Sequence, residues 1–466
     1  MTTAHRVHIS TLGCARNEVD SEELAARLAA AGFQLVAEPA AAQTLVVNTC
    51  GFIEAAKKDS IDTLLAAAEF KQHNAQAVVA VGCLAERYGA ELADALPEAD
   101  AVLGFDDYPD IAQRLRDVLA GSPPPARPPT DRRKLLPLTP ARRPTASQAV
   151  SVPGHGQGPA AGPRTWRKRL NNAPTSPLKI ASGCDRRCAF CAIPTFRGSF
   201  VSRPSADIVA EAELLAADGV KEVLLVSENS SSYGKDLAGE RLETLLPKLA
   251  AVPGLEWIRV SYLQPAEIRP SLLEVMLGTD KVVPYFDLSF QHASPTVLRR
   301  MRRFGDPASF LDLIQRIRDA APTAGIRSNV IVGFPGETEA DVELLREFVQ
   351  AARLDVLGVF AYSDEEGTEG YELPNHVDPE EVLRRHRLLQ DVALEVCEQR
   401  AADRIGEHTT VLVETSGAHP AGRASHQAPE TDGITIIEAQ SKLDVGELIP
   451  ARIVECDGID VKVVPT

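Results

Sequence analysis

The feature that most constrains this chain is a group of three cysteines within eight residues, Cys184, Cys188 and Cys191, spaced CxxxCxxC. Three thiolates at this spacing can surround one face of a cuboidal iron–sulfur cluster and leave its fourth iron without a protein ligand. A structural zinc site would need a fourth ligand from the protein, and no further Cys or His lies close by in sequence. Chance grouping is the alternative, and the spacing favours an iron–sulfur loop whose open iron can bind a substrate.

Composition limits the class of protein. A length of 466 residues predicts about three domains, and a hydrophobic content of 44% argues against general disorder. The first ten residues lack the apolar segment of a signal peptide, and no apolar stretch is long enough to span a bilayer. Eight cysteines are too few for a disulfide scaffold in so long a chain. We therefore expect a cytoplasmic protein with reduced thiols and no membrane partner.

Residues 1–120 alternate between short apolar runs and amphipathic stretches. The runs at 6–12, 44–47, 77–81 and 101–104 read as strands, and helices follow from about 18, 54 and 85. Strand, turn and helix repeated at this spacing predict a parallel sheet with right-handed crossovers. This part of the chain is therefore predicted to be a small α/β domain.

Three cysteines of this domain, Cys14, Cys50 and Cys83, each come just after a predicted strand. Any one of them alone is more often an ordinary buried residue, because free Cys is among the most buried residue types. In an open parallel sheet, however, the carboxyl ends of the strands form the edge where ligands bind. Three thiols at equivalent positions therefore predict a second iron–sulfur cluster, again with one open iron.

Residues 121–177 differ from their surroundings, with 13 Pro and 10 Lys or Arg against a single acidic residue, Asp131. This composition is typical of a mobile linker. A basic run beside Trp166, comprising Arg164, Arg167, Lys168 and Arg169, would suit RNA, but a solvated linker explains it as well. We expect a Pro-rich linker here.

Strand and helix alternation resumes over 178–402. Six strands are predicted, at 178–181, 220–227, 257–262, 285–290, 326–332 and 356–362. Six βα units suggest an incomplete barrel, in which the loops after the strands build the active site. The CxxxCxxC loop follows the first strand. After the fifth strand, Gly333, Gly336 and Glu337 lie in a turn where backbone could approach a ligand, although a plain βα turn is the alternative.

Residues 403–466 follow a long predicted helix at 379–402 and have strand-like runs at 409–414, 433–438, 447–454 and 459–464. Short strands with Asp-Gly turns suggest a small β-barrel. The segment holds 11 acidic and 5 basic residues. A phosphate-binding surface needs the opposite sign, whereas a basic protein partner would be attracted. Generic solubility charge is the alternative explanation.

Several motifs together carry a family resemblance. The matching segments are Ser10 to Cys14, Asn48 to Ile53, Gly82-Cys83, the CxxxCxxC loop with Phe196-Arg197-Gly198, Ser202 to Pro204, Gln291 to Ser294, Arg299 to Arg303, Ile331 to Thr338, Tyr362 to Thr368, Gly422-Arg423 and Ala428 to Gly433. On these residues the chain resembles the radical S-adenosylmethionine methylthiotransferases, most closely the branch that acts on ribosomal protein S12. Ser227-Glu228-Asn229 and Leu288-Ser289-Phe290 depart from the usual family pattern, and the Pro-rich insertion is longer than expected.

The resemblance implies an α/β protein with an N-terminal methylthiotransferase domain, a partial TIM-like (β/α)6 radical S-adenosylmethionine barrel and a TRAM-like antiparallel β-barrel for substrate recognition. Cys184, Cys188 and Cys191 would hold a catalytic 4Fe–4S cluster that binds S-adenosylmethionine and generates a 5′-deoxyadenosyl radical. Cys14, Cys50 and Cys83 would hold an auxiliary 4Fe–4S cluster that carries the sulfur. Gly333, Gly336 and Glu337 are the candidate S-adenosylmethionine contacts.

Three functions follow as hypotheses. The first is methylthiolation of the β-carbon of an aspartate in ribosomal protein S12, with two S-adenosylmethionine molecules, an external electron donor and a sulfur donor that the sequence does not identify. The second is methylthiolation of adenosine C2 in tRNA, which the acidic C-terminal barrel disfavours. The third is a non-enzymatic iron–sulfur electron carrier or sensor, for which two open irons are unexpected. The remaining cysteines, Cys397 and Cys456, are predicted to be structural.

Overall fold

A computed structural model describes residues 4–135, 166–429, 431–439 and 441–466 of the chain. Most of the Pro-rich segment, including Arg164 of the predicted basic run, lies outside the described residues, as does Glu430 of one family motif. The described residues form an α/β sheet domain, an incomplete α/β barrel and a closed β-barrel, in that order along the chain.

The first domain is a five-stranded parallel sheet in the order β2-β1-β3-β4-β5. Its strands are β1 Arg6–Thr11, β2 Gln34–Leu35, β3 Thr44–Thr49, β4 Ala77–Gly82 and β5 Ala101–Val102. Its helices are α1 Ala15–Ala30, α2 Glu54–Glu69, α3 Cys83–Ala95, α4 Ile111–Leu119 and α5 Arg132–Leu135. The predicted parallel α/β fold is confirmed, with β2 as an additional edge strand.

Helices cover both faces of this sheet, which explains why its central strands are continuous apolar runs. Val46 and Val79 lie in the core on one face, while Leu45 and Val78 lie in the core on the other. A parallel sheet with helices on both faces buries alternate side chains in opposite directions. The carboxyl edge of the sheet is left for the loops that follow the strands.

The second domain consists of two three-stranded parallel sheets, β10-β9-β6 and β11-β12-β13, and a small antiparallel pair. Its strands are β6 Thr175–Lys179, β7 Ala181–Ser182, β8 Val201–Ser202, β9 Glu222–Val226, β10 Trp257–Val260, β11 Tyr285–Gln291, β12 Gly325–Val332 and β13 Val356–Ala361. Its helices are α6 Ile193–Arg197, α7 Ser205–Ala217, α8 Leu242–Ala250, α9 Pro270–Gly278, α10 Pro295–Arg300, α11 Pro307–Ala320, α12 Glu339–Ala352 and α13 Pro379–Asp403.

The two parallel sheets form one open barrel wall. Isolated bridges between Ile258 and Val282 and between Leu263 and Leu288 join β10 to the region of β11. The six parallel strands thus follow one another in chain order, as predicted, and the core between strands and outer helices is a single apolar cluster. The barrel begins at Thr175, slightly before the predicted boundary at 178. Its loops after the strands lie at one end, which is where α/β barrels place their sites.

The described ends of the Pro-rich segment contact the folded domains. Arg132, whose side chain is 1% exposed, pairs with Glu86 of α3 at 2.7 Å. Arg167 of the predicted basic run pairs with Glu22 at 3.4 Å and with Glu211 at 3.0 Å. Arg167 is therefore engaged in ion pairs between domains. The prediction that the intervening linker is mobile stays a prediction.

The third domain is a closed five-stranded barrel in the order β14-β15-β16-β18-β17. Its strands are β14 His408–Thr415, β15 Ala421–Ala424, β16 Thr435–Ile437, β17 Leu448–Asp457 and β18 Asp460–Pro465. Four strand pairs are antiparallel and the β16–β18 pair is parallel. The predicted small barrel is confirmed, and β15 is a strand that the sequence pattern did not indicate.

A buried ion triad joins this barrel to the α/β barrel. Glu222 of β9 accepts from Arg259 at 2.7 Å and from Arg423 at 2.5 Å, and all three side chains are almost fully buried. Burial alone would raise the pKa of Glu222, but the two guanidinium groups lower it to about 2. The C-terminal barrel is therefore held against the N-terminal ends of the α/β barrel strands.

The first domain docks on the opposite side of the α/β barrel through α1 and β6. Ala15 packs against Leu224 and Val226 of the barrel, and Asp20 forms a buried ion pair with Lys179. A second contact involves Glu365, which pairs with Lys57 at 3.0 Å and Arg87 at 2.9 Å. These contacts bring the carboxyl edge of the first sheet towards the barrel. No helix in the part of the chain that the structure describes is long and apolar enough to cross a membrane.

Candidate functional site

The carboxyl ends of β1, β3 and β4 present Cys14, Cys50 and Cys83, which we call the first-domain triad. Cys14 lies just before α1, Cys50 follows β3 directly, and Cys83 is the first residue of α3. Because β1, β3 and β4 are neighbours in the sheet, the three thiols emerge at one edge. The prediction that successive strands bring these cysteines to one region agrees with this geometry.

A tight turn packs the loop of Cys14 against Cys50. Gly13 has φ +90°, and a Cβ at this position would lie 2.9 Å from Cβ and 3.0 Å from Sγ of Cys50. Only glycine combines that backbone conformation with so close an approach. The Asn17 side chain, one turn into α1, is 3.6 Å from the Cys83 sulfur. The turn at Gly13 and the Asn17 side chain therefore bring the three cysteine loops together.

Burial dominates the electrostatics of the first-domain triad. It raises the pKa of Cys50 and raises that of Cys83 to about 12, and the neighbouring thiols add to the effect. Burial also acts against the Cys14 thiolate, yet the positive charges of Arg16 and Arg197 lower the pKa of Cys14 below its usual value. The site favours neutral thiols unless positive charge is close.

The CxxxCxxC loop connects β7 to α6 and presents Cys184, Cys188 and Cys191, which we call the barrel triad. The Cys184 amide donates to the Gly198 carbonyl at 3.1 Å, and the Cys191 amide donates to the Cys188 carbonyl at 3.1 Å. These bonds fold the loop back on itself. The three cysteines are therefore held on one folded loop.

Burial and the neighbouring thiolates also raise the pKa values of thiols in the barrel triad. Burial raises the pKa of Cys184 to about 12, and the Cys188 charge adds to the rise. Burial, Cys188 and Cys184 raise the pKa of Cys191, against which Arg16 of the first domain acts. A residue of the first domain is therefore close enough to influence the barrel triad.

The chemistry of both triads suits a cubane cluster. Within the described ranges, no three His, Cys, Asp or Glu side chains meet at a spacing that would hold a single metal ion. In a cubane cluster each cysteine binds a different iron, so the cysteine sulfurs lie farther apart than the ligands of one zinc ion. Cys83 is buried and the other five cysteines are half-buried. Grouped thiols near guanidinium groups fit such a cluster, because metal binding requires their deprotonation.

Charged residues that the sequence did not indicate as a site lie between the triads. Arg16 donates to the Ser227 carbonyl at 2.8 Å and stacks on the Tyr262 ring at 4.8 Å. Glu228 lies 3.7 Å from both Arg16 and Arg197, and its side chain is 2% exposed. Neither carboxylate oxygen of Glu228 accepts a hydrogen bond from the described residues. The only advance signal was the family motif that contains Arg197 and the departure at Glu228.

A cavity of about 310 Å³ adjoins the CxxxCxxC loop at Phe190. Apolar side chains of the first domain, the CxxxCxxC loop and the last two barrel strands line it together with a few polar groups. The lining residues are Phe52, Ile53, Phe190, Gln291, Asn329, Ile331, Phe360, Ala361, Tyr362, Ser363 and Glu365. Asn329 Oδ1 has no hydrogen-bond partner among the described residues, and Gln291 has a left-handed φ of 71°. A small organic ligand of mixed polarity would suit this space.

Gly333, Gly336 and Glu337 lie in the turn after β12, outside the residues that line this cavity. The Glu337 carboxylate accepts from the Gly333 amide at 3.0 Å and pairs with Arg385 at 3.0 Å, with His292 at 3.4 Å. The Glu337 carboxylate therefore stabilises the turn through these bonds. Contact of these residues with S-adenosylmethionine stays a prediction.

Comparison with known proteins assigns each structural unit to a family. The profile described as "Uncharacterized protein family UPF0004" matches residues 6–104. The radical SAM superfamily profile matches residues 178–349, and the TRAM domain profile matches residues 405–464. The first-domain triad falls within the first match and the barrel triad within the second.

Curated relatives match almost the whole chain. One is the ribosomal protein uS12 methylthiotransferase RimO of Cutibacterium acnes, 61% identical over 97% of this chain and 96% of that protein. Others of the same name, from Nocardioides sp. and Streptomyces coelicolor, are 59% and 56% identical, over 98% and 100% of this chain and 97% of each relative. The predicted family resemblance is confirmed.

Among solved structures, the radical S-adenosylmethionine methyltransferase TsrM of Kitasatospora setae is similar, with a TM-score of 0.53 and 15% identity. The alignment covers 77% of this chain and 75% of that one. At this identity the likeness shows the fold alone. It agrees with the predicted arrangement of an α/β domain followed by an incomplete α/β barrel.

Proposed function

The chain belongs to the ribosomal protein uS12 methylthiotransferase family of radical SAM enzymes, and we propose that it adds a methylthio group to the β-carbon of an aspartate in uS12. The observation that carries the proposal is the contact between the two cysteine triads: Arg197, at the end of the helix that follows the barrel triad, lies 3.2 Å from the Cys83 sulfur of the first-domain triad. Transfer of sulfur to a carbon radical needs the two centres close together. An isolated electron carrier would not need them.

Each triad would hold one 4Fe–4S cluster. Cys184, Cys188 and Cys191 would ligate the cluster that binds S-adenosylmethionine, and Cys14, Cys50 and Cys83 would ligate the auxiliary cluster. When bound, the two clusters and two S-adenosylmethionine molecules supply the electron, the 5′-deoxyadenosyl radical, the sulfur and its methyl group. The reductant and the sulfur donor would be external partners.

The chain's own residues hold and shield this chemistry. The loop of the barrel triad is fixed by backbone bonds, and the Ala189 amide donates to the Met301 carbonyl at 3.1 Å. Arg303 lies 3.9 Å from the Cys188 sulfur and places a positive charge beside an anionic centre. The Tyr262 ring stacked on Arg16 helps to exclude water from the space between the domains.

The cavity beside Phe190 is the proposed S-adenosylmethionine site. Phe190 lies between Cys188 and Cys191 in the sequence and its side chain lines the cavity, so a molecule bound there would contact the CxxxCxxC loop. The aromatic and aliphatic wall suits an adenine ring, and the free Asn329 oxygen can accept a hydrogen bond from an amino group. Gln291 has a left-handed backbone conformation, which is uncommon in residues other than glycine and recurs at functional sites.

The acidic C-terminal barrel would recognise the protein substrate. Residues 403–466 hold 11 acidic and 5 basic residues, which disfavours a phosphate backbone and favours a basic protein. A ribosomal protein is a partner of that charge. The same negative charge favours uS12 over tRNA as the substrate.

The test offers both substrates to the same enzyme. The chain is reconstituted anaerobically with iron and sulfide, then given a reductant and S-adenosylmethionine with either uS12 or tRNA. We expect a mass increase of one methylthio group on an aspartate-containing peptide of uS12 and none on tRNA. Modification of tRNA alone would replace the proposal by the adenosine hypothesis, and cluster reduction without modification of either would favour an electron carrier.

A further inference from the structure

Arg197 belongs to the barrel but contacts the first-domain triad. It is the last residue of α6, the short helix that starts directly after the loop of Cys191. Its Nη2 lies 3.2 Å from the Cys83 sulfur and donates to Asn17 Oδ1 at 2.8 Å and Asp20 Oδ2 at 3.1 Å. The loop that ends one triad thus supplies a donor to a sulfur of the other.

The Arg197 guanidinium is enclosed. Its side chain is 3% exposed, and the Phe105 ring lies 5.1 Å from its central carbon. Nη1 has no hydrogen-bond partner within the described residues. A buried guanidinium with an unused donor is costly unless an anion lies nearby. Asp20 provides one carboxylate, and Glu228 lies farther away at 3.7 Å.

We propose that Arg197 is a positioning residue that couples the two triads and raises the reduction potential of the cluster held by Cys14, Cys50 and Cys83. This inference rests on the proposed function. A positive charge and an N–H donor at a ligating sulfur stabilise the more negative, reduced form of a cluster. Because α6 continues from the barrel triad, a displacement of the CxxxCxxC loop would also displace this donor.

Arg197 therefore links the barrel triad physically to the first-domain triad. Asp20, which orients Arg197, also pairs with Lys179 of β6. Asp20 belongs to the first domain, so its bonds to Lys179 and Arg197 both cross the domain interface, and the donor geometry at Cys83 depends on correct docking of the two domains. The reduction potential of the first-domain cluster is then raised only when the two domains are docked.

The experiment measures the potential of one cluster at a time. In the full chain with Cys184, Cys188 and Cys191 all changed to Ala, only the first-domain triad can hold a cluster. Reconstituted protein of this background is titrated with dithionite and followed by EPR, with Arg197 intact, as Arg197→Lys and as Arg197→Gln. We expect a shift to more negative midpoint potential in Arg197→Gln and a smaller shift in Arg197→Lys, which keeps the charge.

A matched control separates charge at the sulfur from loss of docking. Arg167 is also buried between the first domain and the barrel, where it pairs with Glu22 and Glu211, and no cysteine contact of Arg167 is found among the described residues. Arg167→Gln should leave the midpoint potential unchanged. An equal shift in Arg167→Gln and Arg197→Gln would overturn the proposal, because general loosening would then explain both.

The remaining outcomes are also decisive. Loss of iron from Arg197→Gln but not from Arg197→Lys supports the proposal, since the charge would then be needed to retain the anionic cluster. An unchanged potential in Arg197→Gln with full iron content overturns it, and so does loss of iron from both variants. Failure of the two-cluster proposal is distinguishable, because the background chain with Arg197 intact would then bind no iron.

Discussion

Lys179 of β6 and Asp20 of α1 form an ion pair in which the two side chains are 0% and 1% exposed. Asp20 also accepts from Arg197 at 3.1 Å. Burial alone would raise the pKa of Asp20, but the charges of Lys179 and Arg197 outweigh it and lower the pKa. One carboxylate thus joins the first domain to the first strand of the barrel and to the helix after the barrel triad.

Replacing Asp20 with Asn should weaken the docking of the two domains. The change leaves two buried cations without their carboxylate, and breaking a buried pair of this kind costs about 3–5 kcal/mol. Denaturant unfolding followed by far-UV circular dichroism measures the loss. Asp62→Asn is the control, because Asp62 pairs with Lys58 on the exposed surface of α2, where water and salt screen the pair and little stability is lost. Similar losses in the two variants would contradict the role assigned to Asp20.

Changing Cys14, Cys50 and Cys83 together to Ala should remove about half of the iron and sulfide, since each triad would hold one cluster. The reverse set, Cys184, Cys188 and Cys191, should remove the other half and abolish reductive cleavage of S-adenosylmethionine. Iron and sulfide assays of anaerobically reconstituted protein give the counts. Cys397→Ala is the matched control, because Cys397 is buried in α13 and belongs to neither triad. Unchanged iron content in the first variant would show that Cys14, Cys50 and Cys83 hold no cluster and that the chain binds only one.

The sequence predicted the triads and the sheet edges because both depend on local signals. Central parallel strands such as β3 and β4 are apolar runs, and the thiols follow them directly. The short strands β2 and β15 carry no comparable signal. β2 has two residues and exists by pairing with β1, and β15 contains Gly422, where a side chain would collide with the backbone of Leu412. Their formation depends on tertiary contacts.

The space between the triads could not be predicted in the same way. Arg197 and Cys83 are far apart in sequence and meet only because the first domain docks on the barrel. Glu228 differs from the family pattern, yet its burial between Arg16 and Arg197 becomes visible only in the folded chain. By contrast, the turn that contains Glu337 was recognisable as a motif in the sequence. In the folded chain, however, its carboxylate is bonded to Gly333 and Arg385.

Filling the cavity beside Phe190 should block S-adenosylmethionine without removing a cluster. Ile331→Trp places a larger ring in the space that Ile331 and Phe360 line. We expect the apparent Kd for S-adenosylmethionine to rise by about tenfold or more, equivalent to at least ~1.4 kcal/mol of binding free energy. Equilibrium binding and release of 5′-deoxyadenosine measure the effect, with iron content as an internal check. Leu383→Trp, on the exposed face of α13, is the control. Unchanged binding of S-adenosylmethionine by Ile331→Trp would show that the ligand binds at another site.

Acid should release the C-terminal barrel through Glu222. The folded state lowers the pKa of this carboxyl from 4.5 to about 2, so the unfolded state binds the proton more readily. The stabilisation is therefore complete above about pH 4.5 and is lost as the pH falls from there towards 2, by an amount on the order of 3 kcal/mol. Unfolding free energy measured by denaturant titration at several pH values should fall over this window.

The variant that tests this mechanism is Glu222→Gln, which removes the titrating group while keeping a similar shape between Arg259 and Arg423. It should be less stable than the parent at neutral pH, because both guanidinium groups lose their buried anion. Its stability should also depend less on pH below about 4.5, since the proton uptake that destabilises the parent is absent. Glu98→Gln, at an exposed position after α3, should keep the full acid dependence. An undiminished acid slope in Glu222→Gln would assign the acid sensitivity to other carboxylates and leave the ion triad without this role.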